Sequence, residues 1–479
     1  MKDEDQIGTA NASPSKAFFV RMLTRDIELQ DALLDLLDNC LDGIIRSGRL
    51  NSDPERPYLG FWARVELSSS HLVIEDNCGG IPLKTAKDYA FALGRPEEVT
   101  AEAGSGTVGM YGIGMKRAIF KLGTDAHVES RNDHGFQVEI TPDWMLDPKW
   151  TELPMYDLPN NVLVSGGTRI TVYELHPDVK KSFDDDQWVD NFRTLVMQHY
   201  SIIMGKGLSV TIGSPEEIEQ GIEPLKPTEF LLLRTHPDDP EEPAIRPYVY
   251  SGHLGDVYVE IYAGLYRELP TEEEAELEEE TRGDRDDAGW TIACNDRVVV
   301  WKDKSRLTGW GEATVPNYHG QFIAITGIVL LHSDDPKLLP LTTTKRGVDA
   351  GAQVYLDVKE LMREATKALT GFTNKWKKFP AQREAIYRSA EYLRLSDLVM
   401  LPVQVPLTQS RKIKTIAKFT PAYPLPAAEK TDVRVSFLAP KMELPILGRY
   451  FFDDPRAKAA DVGRAAWDDA REAARDADA

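Results

Sequence analysis

The sequence predicts an α+β protein whose first 180 residues layer helices on one side of a sheet. Three observations carry that expectation. Residues 33–43 give Leu33, Leu34, Leu37 and Leu41 as one helix face, with Asp35, Asn39 and Asp42 at i, i+4 and i+7 on another. Leu72-Val73-Ile74-Glu75-Asp76 is an apolar strand running into Asn77-Cys78-Gly79-Gly80-Ile81-Pro82. Gly104-Ser105-Gly106-Thr107-Val108-Gly109-Met110-Tyr111-Gly112-Ile113-Gly114-Met115-Lys116 then leads into the helical pattern of residues 117–122. Helix and strand signals alternate around these motifs, as a layered domain requires.

The remaining elements follow in order. Residues 1–14 read as a flexible N-terminus, and residues 61–67, 72–75, 126–130, 137–141 and 168–174 as strands of a domain spanning 15–184. Residues 187–204 read as one long helix entering a second domain, 185–380. Its strands are expected near 208–212, 257–262, 289–294, 297–301 and 322–331, with a turn at Asn295-Asp296-Arg297-Val298 and a closing helix over 354–369. The acidic run 272–280 reads as an exposed helix or mobile insertion. Residues 381–479 form a small C-terminal region of unassigned role, proline-rich over 401–440 and helical from 461.

The motif residues suit one chemistry. A carboxamide oxygen is a hard ligand that leaves magnesium its waters and phosphate oxygens, and a carboxylate one turn away can orient or deprotonate a water. Alone, the same spacing describes a solvated acidic stripe. A buried Asp76 can accept a hydrogen bond from an amino group such as that of adenine, although Asp-Asn-Gly turns are ordinary. Glycines at a helix N-terminus let backbone N–H groups reach phosphate oxygens. Two rival motifs fail on context. The formal GxGxxG at 104–109 follows a polar, acidic stretch instead of an apolar strand, and Gly114 is not followed by the Lys-Ser/Thr of a Walker A loop.

With the turn Gly166-Gly167-Thr168 entering a strand, the ordered set resembles the motifs of the GHKL ATPase superfamily, which shares the Bergerat nucleotide-binding fold. The resemblance covers roughly residues 15–375 and is strongest to the MORC, MutL and heat-shock-chaperone branch, especially bacterial MORC-like ATPases. It implies a Bergerat-type ATPase sandwich, a transducer-like α/β domain, and ATP with Mg2+ as cofactors. Asp35 stands where the family has its water-activating Glu, and Asn39 matches the magnesium ligand. Asp76 matches the adenine-reading Asp, with Gly80 and Ile81 beside the base and Thr168 supporting the carboxylate. Asp42, the lid run Gly109-Met110-Tyr111-Gly112-Ile113-Gly114, and Lys116 complete the nucleotide contacts that the resemblance implies. Lys345, in Leu341-Thr342-Thr343-Thr344-Lys345-Arg346-Gly347, sits where the branch has a lysine that reaches the terminal phosphate.

Two departures stand out: Asp35 is one methylene shorter than Glu, and Cys78 replaces a glycine of the family pattern. The implied function is a magnesium-dependent ATP-hydrolysing conformational switch, slow or partner-stimulated, homodimeric on ATP binding, and acting with protein partners on DNA or in anti-phage defence. The alternative is a non-hydrolysing ATP-bound scaffold or chaperone-like module, which Asp35 in place of Glu favours.

Bulk properties bound these expectations. A chain of 479 residues, 42% hydrophobic and 28% charged, fits two to three globular domains. A net charge of −21 does not support broad nucleic-acid binding, leaving only local basic patches such as 375–378 and 411–414. No apolar run is long enough for a membrane span and no signal-peptide pattern opens the chain, so a cytoplasmic location is expected. Three cysteines without metal-ligand spacing predict neither a disulfide framework nor a zinc site.

Overall fold

The computed structural model describes residues 15–92, 114–147, 152–163, 166–236, 242–281, 287–342, 346–399, 413–426 and 438–477. The predicted residues Gly109, Met110, Tyr111, Gly112, Ile113 and Lys345 lie outside them. The chain is mixed α+β and divides into two units, 1–426 and 427–479. No helix among the described residues is long and apolar enough to cross a membrane.

The first unit begins with helices α1 (Lys16–Arg25) and α2 (Leu29–Ser47). Strands β1 (Trp62–Leu67) and β2 (Leu72–Asp76) follow, then α3 (Gly114–Leu122), β3 (Gly123–Arg131), β4 (Gly135–Ile140), β5 (Met155–Asp157) and β6 (Gly167–Leu175). Helix α4 (Asp186–His199) leads toward β7 (Ser209–Gly213). These strands form one sheet in the order β5-β4-β3-β6-β2-β1-β7. Alternation decides its faces: Ala63, Val65 and Leu67 of β1, with Leu72, Ile74 and Asp76 of β2, are buried. Leu33, Leu36, Leu37, Cys40, Leu41 and Ile44 of α2 join them in one core.

Two elements differ from the sequence reading. The expected helix 187–204 breaks at Tyr200 (φ −107°, ψ 10°), after which Ser201–Gly205 forms a separate turn of helix. The strand expected in the second domain, β7, pairs in parallel with β1 and completes the first sheet. Its apolar alternation at Val210 and Ile212 serves either sheet, so pattern alone did not decide its partner.

A second sheet, β12-β11-β13-β10-β9-β15, is built from β9 (Tyr248–Leu254), β10 (Val257–Leu265), β11 (Gly289–Cys294), β12 (Arg297–Asp303), β13 (Ile325–His332) and β15 (Ile413–Phe419). A small pair joins β8 (Leu231–Arg234) to β14 (Glu391–Arg394). Residues 391–394 and 413–419, expected in a separate C-terminal region, thus belong to the first unit. The long helix α5 (Gln353–Trp376) lies against the second sheet, with the Trp290 indole donating to Thr366 Oγ1 at 3.0 Å. The acidic run forms the helix Glu272–Thr281. In the second unit, α6 (Leu444–Phe452) packs with α7 (Ala459–Ala477).

The β11–β12 hairpin of the second sheet packs against the helices and loops around the first sheet. Asn295 and Asp296 both adopt positive φ, 46° and 66°, which matches a tight two-residue turn between twisted strands. Tyr58 and Lys206 donate to the two oxygens of Asp296 at 3.0 and 2.7 Å. Beyond the turn, Arg297 is 1% exposed and donates from Nε to Asp38 of α2 at 2.8 Å. The Tyr200 hydroxyl donates to the same Asp38 oxygen at 2.6 Å, and the guanidinium lies 4.5 Å from the Tyr200 ring. Breaking a buried pair leaves an uncompensated charge. Arg297→Ala should therefore cost about 3–5 kcal/mol in chemical denaturation, and a loss below about 1 kcal/mol would show that the hairpin is not anchored there.

Candidate functional site

Helix α2 builds the site's wall. At about 100° per residue, Asp31, Asp35, Asp38, Asn39 and Asp42 fall within an arc of about 100°, a continuous polar stripe opposite the leucine face. The helix ends at Gly48 in the left-handed region. It lies close to the turn after β2, because a Cβ on Gly43 would meet the Cys78 carbonyl oxygen at 2.3 Å.

The stripe's residues have distinct partners. Asp35 is buried and ion-paired at 2.5 Å with Arg117 of α3. The first residue of α3, Gly114, also abuts it: a Cβ there would lie 3.6 Å from the Asp35 carboxylate. Asn39 is half-buried, and no hydrogen bond among the described residues holds its buried amide nitrogen. Asp42 is buried in the same stripe. Lys116, also buried, donates to the Ala90 carbonyl at 2.8 Å, joining α3 to the segment that enters residues 93–113.

Asp76 ends β2 on the buried face. In sheet register it stands beside Thr168 of β6, which stands beside Ser130 of β3. The Thr168 hydroxyl pairs with Ser130 Oγ at 3.0 Å, and Ser130 accepts from the Ile81 amide at 2.8 Å. Thr168 thus flanks Asp76, while its hydroxyl contacts Ser130. Asp76 accepts from the Cys78 amide through Oδ1 at 2.7 Å and faces the Cys40 thiol through Oδ2 at 3.5 Å. Burial raises its pKa to about 6 against the opposing pull of these two donors. Keeping it ionised costs about 3 kcal/mol relative to an ordinary aspartate.

The turn after Asp76 accommodates Cys78 because the positive φ values fall at the next two residues, Gly79 (114°) and Gly80 (68°). Gly80 has a second reason to be glycine: its Cβ would meet the Arg131 carbonyl oxygen at 2.3 Å. Beside the turn, Ile81 and Leu83 pack on Ala86, Phe136 and Val138, an apolar wall. A neighbouring cavity of about 690 Å³ is lined by Phe91, Lys116, Phe120, Val138, Ile140 and Trp144.

Two arginines from the later half of the first unit reach the stripe. Arg297 holds Asp38, and Arg346, the residue after Lys345, ion-pairs with Asp31. Burial lowers the Arg346 pKa, with Asp31 opposing. Sequence reasoning assigned no role to Arg117, Ser130, Arg297 or Arg346. Arg346 lies in the Lys345 loop and Arg297 in the 295–298 turn, but neither motif names its partner.

Residues 27–146 match the family model of histidine kinase-, DNA gyrase B- and HSP90-like ATPases. The N-terminal domain is a GHKL-type ATPase domain. The match spans α2, β1, β2, α3, β3 and β4, and therefore Asp35, Asn39 and Asp76. No curated protein matches the chain.

Within this ATPase domain the raised pKa of Asp76 has a defined consequence for stability. Unfolded aspartate ionises near 3.8 and folded Asp76 near 6. The Asp76 contribution to stability is therefore greatest below the lower value, falls as pH rises between the two, and levels off above the upper. Asp76→Asn should raise the ligand-free protein's stability at pH 7–8 by up to about 3 kcal/mol and flatten that fall. Denaturant melts from pH 4 to pH 8 measure it; an unchanged profile in the variant would place the titration elsewhere.

Proposed function

We propose that the chain binds ATP with magnesium and hydrolyses it slowly as a conformational switch, in the manner of the MORC-like branch. The carrying observation is Asp76, a desolvated carboxylate at a strand end beside an apolar wall, in a domain matched to ATPases. An adenine amino group donates to this carboxylate, while Ile81, Leu83, Phe136 and Val138 cover the ring. The mismatch between burial and charge at Asp76 is relieved when a donor arrives, so energy lost from the empty fold returns as binding.

Asn39 fits a magnesium ligand, since no hydrogen bond among the described residues fixes its amide nitrogen and the group can turn its oxygen toward a hard cation. Magnesium held by Asn39 would supply charge neutralisation and Lewis-acid polarisation of the terminal phosphoryl group. Asp35 positions the attacking water and accepts its proton. In the ligand-free fold Arg117 holds that carboxylate, and an incoming polyphosphate at the N-terminus of α3 competes for the guanidinium. The release of Asp35 is thereby coupled to nucleotide entry.

Lys345 serves as the terminal-phosphate contact in this reading. Support comes from Arg346, whose pair with Asp31 tethers the end of the loop one helical turn from Asp35. ATP-dependent homodimerisation, protein partners, a cytoplasmic location and a role on DNA or in anti-phage defence extend the same family reading. The Arg117–Asp35 pair also favours a second reading, an ATP-bound scaffold that does not turn over, because it occupies the base.

Two measurements separate these readings. By calorimetry, Asn39→Ala should weaken the ATP–magnesium complex more than metal-free nucleotide, while Asp76→Ala weakens both alike by about 1.5–3 kcal/mol. Unchanged affinity in both variants would sink the site assignment. Asp35→Asn should retain ATP and lower turnover about 10²–10⁴-fold. A parent protein with no turnover at all would put the scaffold reading first.

A further inference from the structure

Cys40 of α2 and Cys78 of the β2 turn are 38 positions apart in sequence, yet the fold brings both thiols to Asp76. One ligand atom from each of Cys40, Asp76 and Cys78 lies within 4.8 Å of the others, and all three residues are buried. The helix brings Cys40 there because it lies on the sheet-facing side of α2, away from the polar stripe. We propose that Cys40, Asp76 and Cys78 form a site for a thiophilic divalent cation of the zinc class, and that its occupancy withdraws Asp76 from nucleotide binding. The second half rests on the reading of Asp76 as the adenine contact.

Geometry supports the donor set. Zinc–sulfur and zinc–oxygen bonds of about 2.3 and 2.0 Å at a tetrahedral angle need an S···O separation of about 3.5 Å. Cys40 Sγ and Asp76 Oδ2 are 3.5 Å apart. The same bonds put the two sulfurs about 3.8 Å apart, within the spread of this cluster. The Cys78 amide donates to the other carboxylate oxygen at 2.7 Å, an outer hydrogen bond of the kind that orients a metal-binding carboxylate. Two thiolates and a carboxylate leave the fourth position for water. Two soft sulfurs select zinc or cadmium over magnesium, so this site is chemically separate from the Asn39 oxygen.

Binding replaces protons without redox change. The cation takes the two thiolates and the carboxylate, and two thiol protons pass to solvent. Asp76 Oδ2 then bonds to metal and no longer accepts from an amino group, so metal and nucleotide compete. The cysteine that replaces the family's glycine at position 78 acquires a role by this route.

Cadmium reports on the site directly, because cadmium–thiolate bonds absorb in the ultraviolet. The full-length protein, reduced with a non-thiol reductant, should show a charge-transfer band saturating at one equivalent. Cys40→Ser and Cys78→Ser should each weaken cadmium binding at least 10-fold, and Cys294→Ser, which removes the remaining buried cysteine, should not. Asp76→Asn, which keeps both thiols, should retain the band with weaker affinity. Zinc should displace cadmium and raise the apparent Kd for a fluorescent ATP analogue at least 10-fold. Absence of the band, or its persistence in both single-cysteine serine variants, overturns the site. A band without any effect of zinc on the analogue overturns the competition. Failure of the metal-free parent to bind the analogue at all would instead refute the nucleotide reading, leaving the cadmium result to stand on its own.

Discussion

The ion pair between Asp38 and Arg297 joins helix α2 to the second sheet, and both side chains are almost completely removed from water. Two charges buried this deeply are tolerable only with good geometry and satisfied neighbours. Here the neighbours are the Tyr200 hydroxyl on Asp38, its ring against the guanidinium, and the backbone carbonyls of His199 and Val298, which accept from Arg297. His199 completes the arrangement as a neutral ring. Burial and the Arg297 charge lower its pKa to about 3, and its Nδ1 faces the Val298 carbonyl at 2.7 Å. The helix that bears the site is therefore held by a residue at the edge of the second sheet, 259 positions away along the chain.

That placement explains how α2 divides its polar stripe. Asp31 and Asp38 lie along one edge and are taken by Arg346 and Arg297, from residues that follow the first sheet in the chain. Asn39 lies at the other edge, with Asp35 and Asp42 between. A movement of the β11–β12 hairpin or the Arg346 loop must therefore act on the same helix turns that carry Asp35 and Asn39. Packed interfaces of this kind shift between discrete arrangements and resist continuous deformation. Under the proposed function, a ligand at Asn39 and a rearrangement of the second sheet are linked through one rigid element.

The layered α+β class and the position of α2 were legible because period and length agree there: a leucine face at helical spacing, then short alternating strands. The placement of Asp35 and Asn39 on one helix face and of Asp76 at a strand end was legible because each belongs to a short, regular element. What escaped was decided by distance along the chain. Arg297 is 259 residues from Asp38 and Arg117 is 82 from Asp35. Before the fold is known, each arginine has many equally acidic partners in a chain of net charge −21. The turn Asn295-Asp296-Arg297-Val298 could be read as a turn, since its residues favour positive φ, but nothing in it named Asp38. The cysteines show the same limit: their spacing denied a metal site, and only the crossing of α2 over the β2 turn brings them together.

Asp76 is where stability and function oppose each other most directly. A smaller polar residue or an asparagine would fill the same space in the empty protein without a buried charge. The fold instead retains a carboxylate and surrounds it with weak compensation: one amide at 2.7 Å and one thiol at 3.5 Å. A thiol is a poor donor, so Oδ2 remains the under-satisfied oxygen. Had Cys40 been a serine, its hydroxyl would hold that oxygen more tightly and an incoming amino group would gain less. The thiol therefore leaves the carboxylate receptive to a better partner, and under the two proposals above the relative affinities and concentrations of nucleotide and soft cation set the state of the site.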